Sequence, residues 1–362
     1  MNKRYVILTG SAILLTIYAS LSAFKPFRAE SKGLKDYYEK YFPIGVAVTQ
    51  FDLHGKNSEL IINQFNSVTA ENGMKMGPIH PSENEYNWNI GDSIATFARK
   101  NNLKMRGHCL VWHTQTPRWL FKDDQGNEIS KDLLLKRLEK HISTVVNHYK
   151  TDVYAWDVVN EVIADDSTYF RKSPLYKIAG EDFVEMAFRY AHKADPKARL
   201  FYNDYNTEQP KKRDKIYKML KGLLAKGVPI HGVGLQGHWS VSHPSREELE
   251  KSISLFASLG LEVQITELDV SVYDGSQGGR IISNTADREK APFTAEMEAR
   301  QLGQYKMIFD VFRKYRKNIT GVTFWNLSDR YTWLDGRGRK NYPLLFDADL
   351  KPKKAFFEVI NF

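Results

Sequence analysis

The sequence predicts an α/β protein of the (β/α)8 TIM-barrel class, and three observations carry that prediction. Eight short apolar runs recur along the chain, helical spacing appears between them, and most runs are apolar at nearly every residue. Strands that alternate with helices pair in parallel, and a strand apolar on both faces is buried on both. Eight such units favour closure; an open doubly wound sheet is the alternative.

The predicted strands are 43–51, 64–72, 104–112, 154–161, 199–206, 232–239, 262–270 and 321–329. Each is marked by β-branched or aromatic residues, such as Val158-Val159 in the fourth and Val263 and Ile265 in the seventh. Between them, Ile94, Phe97 and Ala98 recur at helical spacing. Leu134, Leu138, Ile142, Val145 and Val146 do so in the clearest helix, 130–149. Further helices are expected over 182–194, 212–226, 245–259, 295–317 and 353–360, with Glu248–Lys251 and Asp132–Lys136 as solvated charge pairs.

No linker rich in Pro, Gly or Ser interrupts 35–362, so this stretch reads as one catalytic-size domain, with 273–294 as one long βα loop. Residues 1–23 differ: Lys3 and Arg4 precede a nearly uncharged stretch that ends in Ala19-Ser20-Leu21-Ser22-Ala23. That order reads as a signal peptide, followed by a short leader over 24–34, and implies a secreted or periplasmic protein. An uncleaved membrane anchor is the other reading.

The formal charge of +9 raises nucleic acid or an acidic polysaccharide as partners. The lysines, however, sit mostly among acids on helical stretches, as in Lys211-Lys212-Arg213-Asp214-Lys215, which is how a solvated face reads. The single cysteine, Cys109, excludes an internal disulfide. Its apolar run favours a small buried hydrophobe over a thiol nucleophile.

In such a barrel, polar residues at the C-terminal ends of strands face the active-site mouth. Strand two ends in Glu71-Asn72 with Lys75 beyond, strand three carries His108, Trp112 and His113, and strand four ends in Asn160-Glu161. Strand five ends in Asn203-Asp204-Tyr205-Asn206, strand six in Gln236-Gly237-His238, strand seven in Glu267 and Asp269, and strand eight in Trp325-Asn326. Two carboxylates in unlike surroundings suit hydrolysis of an acetal, which needs one acid and one ionised base or nucleophile. Glu161, behind Val158-Val159 and near Trp156, is the candidate acid/base; desolvation there would raise its pKa. Glu267 has His238 and Asp269 as candidate partners to hold it ionised as nucleophile. Glu71, Asn72, Lys75, His108, Asn160 and Gln236 suit sugar hydroxyls, and Trp112, Trp325 and Trp333 offer flat faces to sugar rings. Trp88, Trp119 and Trp156 read as core.

Other motifs carry less. Gly232-Val233-Gly234-Leu235-Gln236-Gly237 has dinucleotide-loop spacing, but His238-Trp239-Ser240-Val241-Ser242-His243-Pro244 follows and opens no helix. His108 and His113 are expected to point apart along their strand, and H-E-x-x-H and paired cysteines are missing, so neither metal nor cofactor is called for.

Five ordered segments resemble a known family: Thr69-Ala70-Glu71-Asn72-Gly73-Met74-Lys75, Arg106-Gly107-His108-Cys109-Leu110-Val111-Trp112-His113, Trp156-Asp157-Val158-Val159-Asn160-Glu161, Gly234-Leu235-Gln236-Gly237-His238 and Ile265-Thr266-Glu267-Leu268-Asp269-Val270. The chain resembles the β-1,4-xylanases of glycoside hydrolase family ten over about 35–362. The resemblance implies a (β/α)8 barrel and endo-hydrolysis of xylan with retention, with Glu161 as acid/base and Glu267 as nucleophile. It implies that His238 bridges Glu267 and Asp269, that Glu71, Asn72, Lys75, His108, Trp112, Asn160, Gln236, Trp325 and Trp333 line the glycone side, and that Tyr205 and Asn206 lie on the aglycone side. Cys109 departs from the Thr common in the family, and the Gly- and Arg-rich loop 334–341 makes Arg337 or Arg339 a candidate for a uronate branch. The implied partner is xylan or a xylo-oligosaccharide, with no nucleic acid, no stable protein partner, and a membrane only if the N-terminal segment is retained. A non-catalytic xylan-binding barrel and a retaining β-1,4-glucanase are the competing functions.

Overall fold

The computed structural model describes residues 32–274, 292–337 and 340–362. The signal segment, most of the 273–294 loop and Arg339 therefore lie outside the described residues. Among these, eight parallel strands form a barrel: β1 (Ile44–Val48), β2 (Ser67–Ala70), β3 (Lys104–Val111), β4 (Val153–Asn160), β5 (Arg199–Asp204), β6 (Gly232–Leu235), β7 (Glu262–Ser271) and β8 (Ile319–Phe324). Each pairs with the next, and β8 returns to β1 through Ile44↔Val322 and Val46↔Phe324, which closes the sheet. An open sheet is excluded.

The strands are buried on both faces because helices cover the outside and side chains fill the lumen. Helix Lys131–His148 buries Leu134, Leu138, Ile142, Val145 and Val146, one stripe at helical spacing, and starts where the Ser130 hydroxyl accepts from the Leu133 amide. Glu248 is not paired with Lys251 as expected. It closes a capping box with Ser245, accepting from its amide at 2.9 Å and its hydroxyl at 2.8 Å.

Several strand ends differ from the sequence expectation, among them β1, which gives way after Val48 to a short helical turn over Gln50–Leu53. β2 begins at Ser67 because helix Gly55–Gln64, polar but for Leu60, Ile61 and Ile62, occupies the preceding turn. β8 stops at Phe324, since Asn326 turns the chain with φ 96°. The sixth run is broken at Gln236-Gly237 and resumes as His238–Ser240, still paired to β7 with His238 opposite Asp269. Gly237 permits the break: its φ is 82°, and a Cβ there would lie 2.9 Å from Ile265.

Beneath the mouth, Arg106 forks onto Asp157 with both nitrogens at 2.6 Å and donates from Nε to Gln264 at 2.7 Å. Both ions are fully buried, and such a pair persists only when its remaining bonds are also made. Trp156 is buried in the core beside Gly107 and Tyr149, not against Glu161. Trp88 and Trp119 pack on the core, and Cys109 is buried, where burial pushes its thiol well up.

Candidate active site

The strand ends open into a cleft of about 600 Å³ lined by residues of β2 through β8 and the loops that follow them. On β7, Glu267 is buried and makes two strong contacts: Asn203 Nδ2 donates to Oε1 at 2.8 Å, and His238 Nε2 meets Oε2 at 3.1 Å. The opposite ring nitrogen, Nδ1, lies 2.9 Å from Asp269, which also accepts from Trp333 Nε1 at 2.8 Å. Burial alone would depress the His238 pKa, yet the two carboxylates hold it up at about 10, so at neutral pH the ring is an imidazolium that donates from both nitrogens. Burial would likewise raise Glu267, but His108 and His238 keep its carboxyl below the ordinary range. Both directions favour an ionised Glu267.

The His238 shift has a thermodynamic consequence. Its folded pKa lies above the unfolded value of about 6.5, so its contribution to stability is complete below pH 6.5 and is lost as pH rises through about 10. The urea midpoint of the protein is expected to fall between pH 7 and 10, and to fall less steeply in His238→Asn. Parallel pH profiles would remove His238 as the source.

Glu161 follows the last residue of β4 with φ 58°, a left-handed conformation that costs a non-glycine residue about 1–3 kcal/mol. That backbone turn aims its carboxylate into the cleft, where Gln236 Nε2 donates to Oε1 at 2.9 Å and Asn160 Nδ2 at 3.3 Å. The Glu161 carbonyl accepts from Arg171 Nε at 2.9 Å. His113 Nδ1 stands 4.0 Å from the carboxylate, and burial pushes its pKa down to about 4, so it is neutral there. His108 and His113 thus line one cleft rather than pointing apart, because β3 ends at Val111 and the chain turns between them. His108 also contacts Asp157 at 2.9 Å.

At the β2 and β8 side, Glu71 accepts from Asn326 at 2.9 Å, Asn72 at 3.1 Å and the Tyr331 hydroxyl at 3.1 Å. Burial raises its pKa. Lys75 donates to Asn72 at 2.9 Å and places its ammonium 4.7 Å from the Trp112 ring and 5.9 Å from that of Trp325. The result is a polar floor between indole walls, suited to a pyranose ring. Across the cleft, the Tyr205 hydroxyl contacts Asp165 and accepts from Arg171 at 2.7 Å, while Asn206 donates to Asp165 at 3.3 Å.

Of the residues given a catalytic, supporting or sugar-binding role, all line the cleft except Asp269, which stands behind His238, and Asn206, whose side chain donates to Asp165; the strand-end residues Asn203, Asp204 and Asn326 lie beneath it. His113, placed on the rim by the sequence without a role, lines the cleft too, together with Gln115, Arg171 and Tyr331, which come from loops without periodicity and are not marked in the sequence. The sequence also left Asn203 among the rim residues without a role. The side chains of Arg337 and Arg339 are not among those described.

Asn203 holds the centre together. It donates to Glu267 and, at 2.9 Å, to Asn160 Oδ1, and it accepts from Thr266 at 2.6 Å. Gly234 makes room for it, since a Cβ there would lie 2.2 Å from Asn203 Oδ1. The glycine spacing on the sixth run is therefore a packing device, not a phosphate loop. Gly234→Ala is expected to cost about 10- to 100-fold in kcat with the fold intact, by displacing Asn203. Steady-state kinetics beside a thermal melt check this; unchanged kcat would refute it.

The model of glycosyl hydrolase family 10 matches residues 33–362. A β-1,4-xylanase of Dictyoglomus thermophilum is 46% identical over 366 residues, with 100% of each chain covered. An endo-1,4-beta-xylanase of Geobacillus stearothermophilus is also 46% identical, covering 91% of this chain and 98% of that one. Among solved structures, xylanase XynB of Paenibacillus barcinonensis, complexed with a conduramine derivative, superposes with a TM-score of 0.87 at 45% identity, covering 92% of this chain and 99% of that one.

Proposed function

Because the chain belongs to glycosyl hydrolase family 10, we propose that it is an endo-1,4-β-xylanase that cleaves internal β-1,4-xylosidic bonds of xylan by retaining double displacement. The observation that carries the proposal is the unlike support of two carboxylates in one cleft: Glu267 against an imidazolium and an amide, Glu161 against amides alone. In the first step Glu267 attacks the anomeric carbon while Glu161 gives its proton to the departing glycosidic oxygen. A covalent xylosyl ester forms. In the second step Glu161, now a carboxylate, takes a proton from water, which displaces Glu267 and restores the enzyme. Neither step requires a metal or cofactor.

His238 and Asp269 support the nucleophile, while Glu71, Asn72, Lys75, His108, Trp112, Asn160, Gln236, Trp325 and Trp333 would bind the glycone and Tyr205 and Asn206 the aglycone. We assign export through residues 1–23, on their basic start, apolar middle and small-residue end. Product analysis on xylan and on cellulose, with the anomeric configuration followed by NMR, tests the function. Release of β-anomers of xylo-oligosaccharides is expected; α-anomers would overturn the mechanism, and faster hydrolysis of cellulose the substrate.

A further inference from the structure

We propose that a basic cleft on the loops after β3 and β4 is a second saccharide site, one that takes a xylan chain bearing carboxylate branches. The proposal rests on the xylanase function above. The cleft has a volume of about 620 Å³ and shares no lining residue with the catalytic cleft. Four cations line it: Arg118, Lys122, Lys172 and Lys177. Lys177 is paired with Glu128 at 2.6 Å; among the described residues, no carboxylate lies within 4.0 Å of the other three. Four cations against one lining carboxylate, Glu128, give the concavity a net positive charge that suits an anionic ligand.

Two aromatic rings complete the lining, Phe121 and Tyr176. Tyr176 is exposed, and its ring stacks on Phe170 with centroids 5.1 Å apart and planes 23° apart, so a flat face is presented on a rigid backing. The neighbouring loop is also fixed. Arg137, itself largely buried and forked onto Glu83, donates to the carbonyls of Trp119 at 2.6 Å and Lys122 at 2.8 Å. A site already held in place loses little order on binding.

Aromatic rings and cations lining one concavity fit a sugar chain with acidic substituents better than a bare anion, which has no use for the aromatic faces. Location selects which chain. Tyr176 and Ser173 also line a small cavity that reaches His113, Arg171 and Glu161, so the basic cleft is one layer of side chains from the proposed acid/base. That adjacency makes the polymer bound in the catalytic cleft the chain within reach of the basic cleft. Undecorated xylan is neutral, so the net positive lining specifies a strand with uronate branches.

The test is affinity electrophoresis of the full chain in gels containing glucuronoxylan, linear uronate-free xylan or polygalacturonate. A Glu267→Gln background prevents hydrolysis. Arg118→Glu with Lys172→Glu is expected to weaken retardation by glucuronoxylan about tenfold and leave retardation by linear xylan unchanged. Added salt should erase the difference. In the active background, the same pair of changes should leave kcat/KM on xylohexaose within about twofold, which shows the fold and catalytic cleft intact. Equal retardation of parent and variant by glucuronoxylan overturns the proposal. So does an equal loss on linear xylan, or retardation of the parent by polygalacturonate exceeding that by glucuronoxylan. If the unmodified protein releases no reducing sugar from xylan while the variant effect persists, the xylanase function fails and the binding site stands.

Discussion

Glu267→Ala is expected to lower kcat on xylan by about 10⁴-fold or more, a loss of about 5 kcal/mol or more in transition-state stabilisation. The side chain supplies the electron pair that makes the covalent intermediate, and among the described residues no other carboxylate stands in its place, since Asp269 is held behind His238 by that ring and by Trp333. Truncation also leaves His238 with one carboxylate partner instead of two and strips Asn203 of an acceptor. Glu267→Gln, which keeps the volume, separates loss of the nucleophile from loss of packing. Both variants should be inactive while melting like folded proteins. Small anions provide a positive signature: azide entering the space vacated in Glu267→Ala should restore turnover and give an α-xylosyl azide. Activity within tenfold of the parent would remove Glu267 as the nucleophile.

The second large effect depends on the substrate. In Glu161→Ala, a xylan bond loses the proton that its poor leaving group needs, and kcat should fall about 10³-fold. An aryl xylobioside with a dinitrophenolate leaving group needs no such proton for its first step. Its glycosylation should proceed at nearly the parental rate, and the ester should then accumulate because nothing activates water. Stopped-flow detection of a dinitrophenolate burst equal to the enzyme concentration reads this directly. Equal losses on xylan and on the aryl glycoside would deny Glu161 the role of acid.

Which parts of this centre the sequence made legible follows from where the residues sit. Asn160, Glu161 and Gln236 stand at the ends of apolar runs and Glu267 within one, where a polar side chain stands out against β-branched neighbours and the barrel topology assigns it to the mouth. Arg171, Gln115 and Tyr331 come from irregular loops, where polar residues are the rule and nothing marks those that turn inward. Arg106 and Asp157 were hidden for another reason. Their ion pair joins neighbouring strands inside the lumen, and a single strand pattern records no partner across the sheet. His113 misled because strand alternation was extended two residues past the end of β3 at Val111. Gly234 carried its meaning in what it leaves empty, which only the approach of Asn203 reveals.

The two proposed catalytic carboxylates are joined through side-chain amides alone: Glu267 to Asn203, Asn203 to Asn160, Asn160 to Gln236 and Gln236 to Glu161, with steps of 2.8, 2.9, 3.4 and 2.9 Å. Amides do not titrate, so none of these links gains or loses charge as the reaction moves a proton on and off Glu161. The separation of the carboxylates, which distinguishes retention from inversion, is thereby insulated from the protonation cycle it serves. Acidity can shift with each half-reaction while the stereochemical outcome stays fixed.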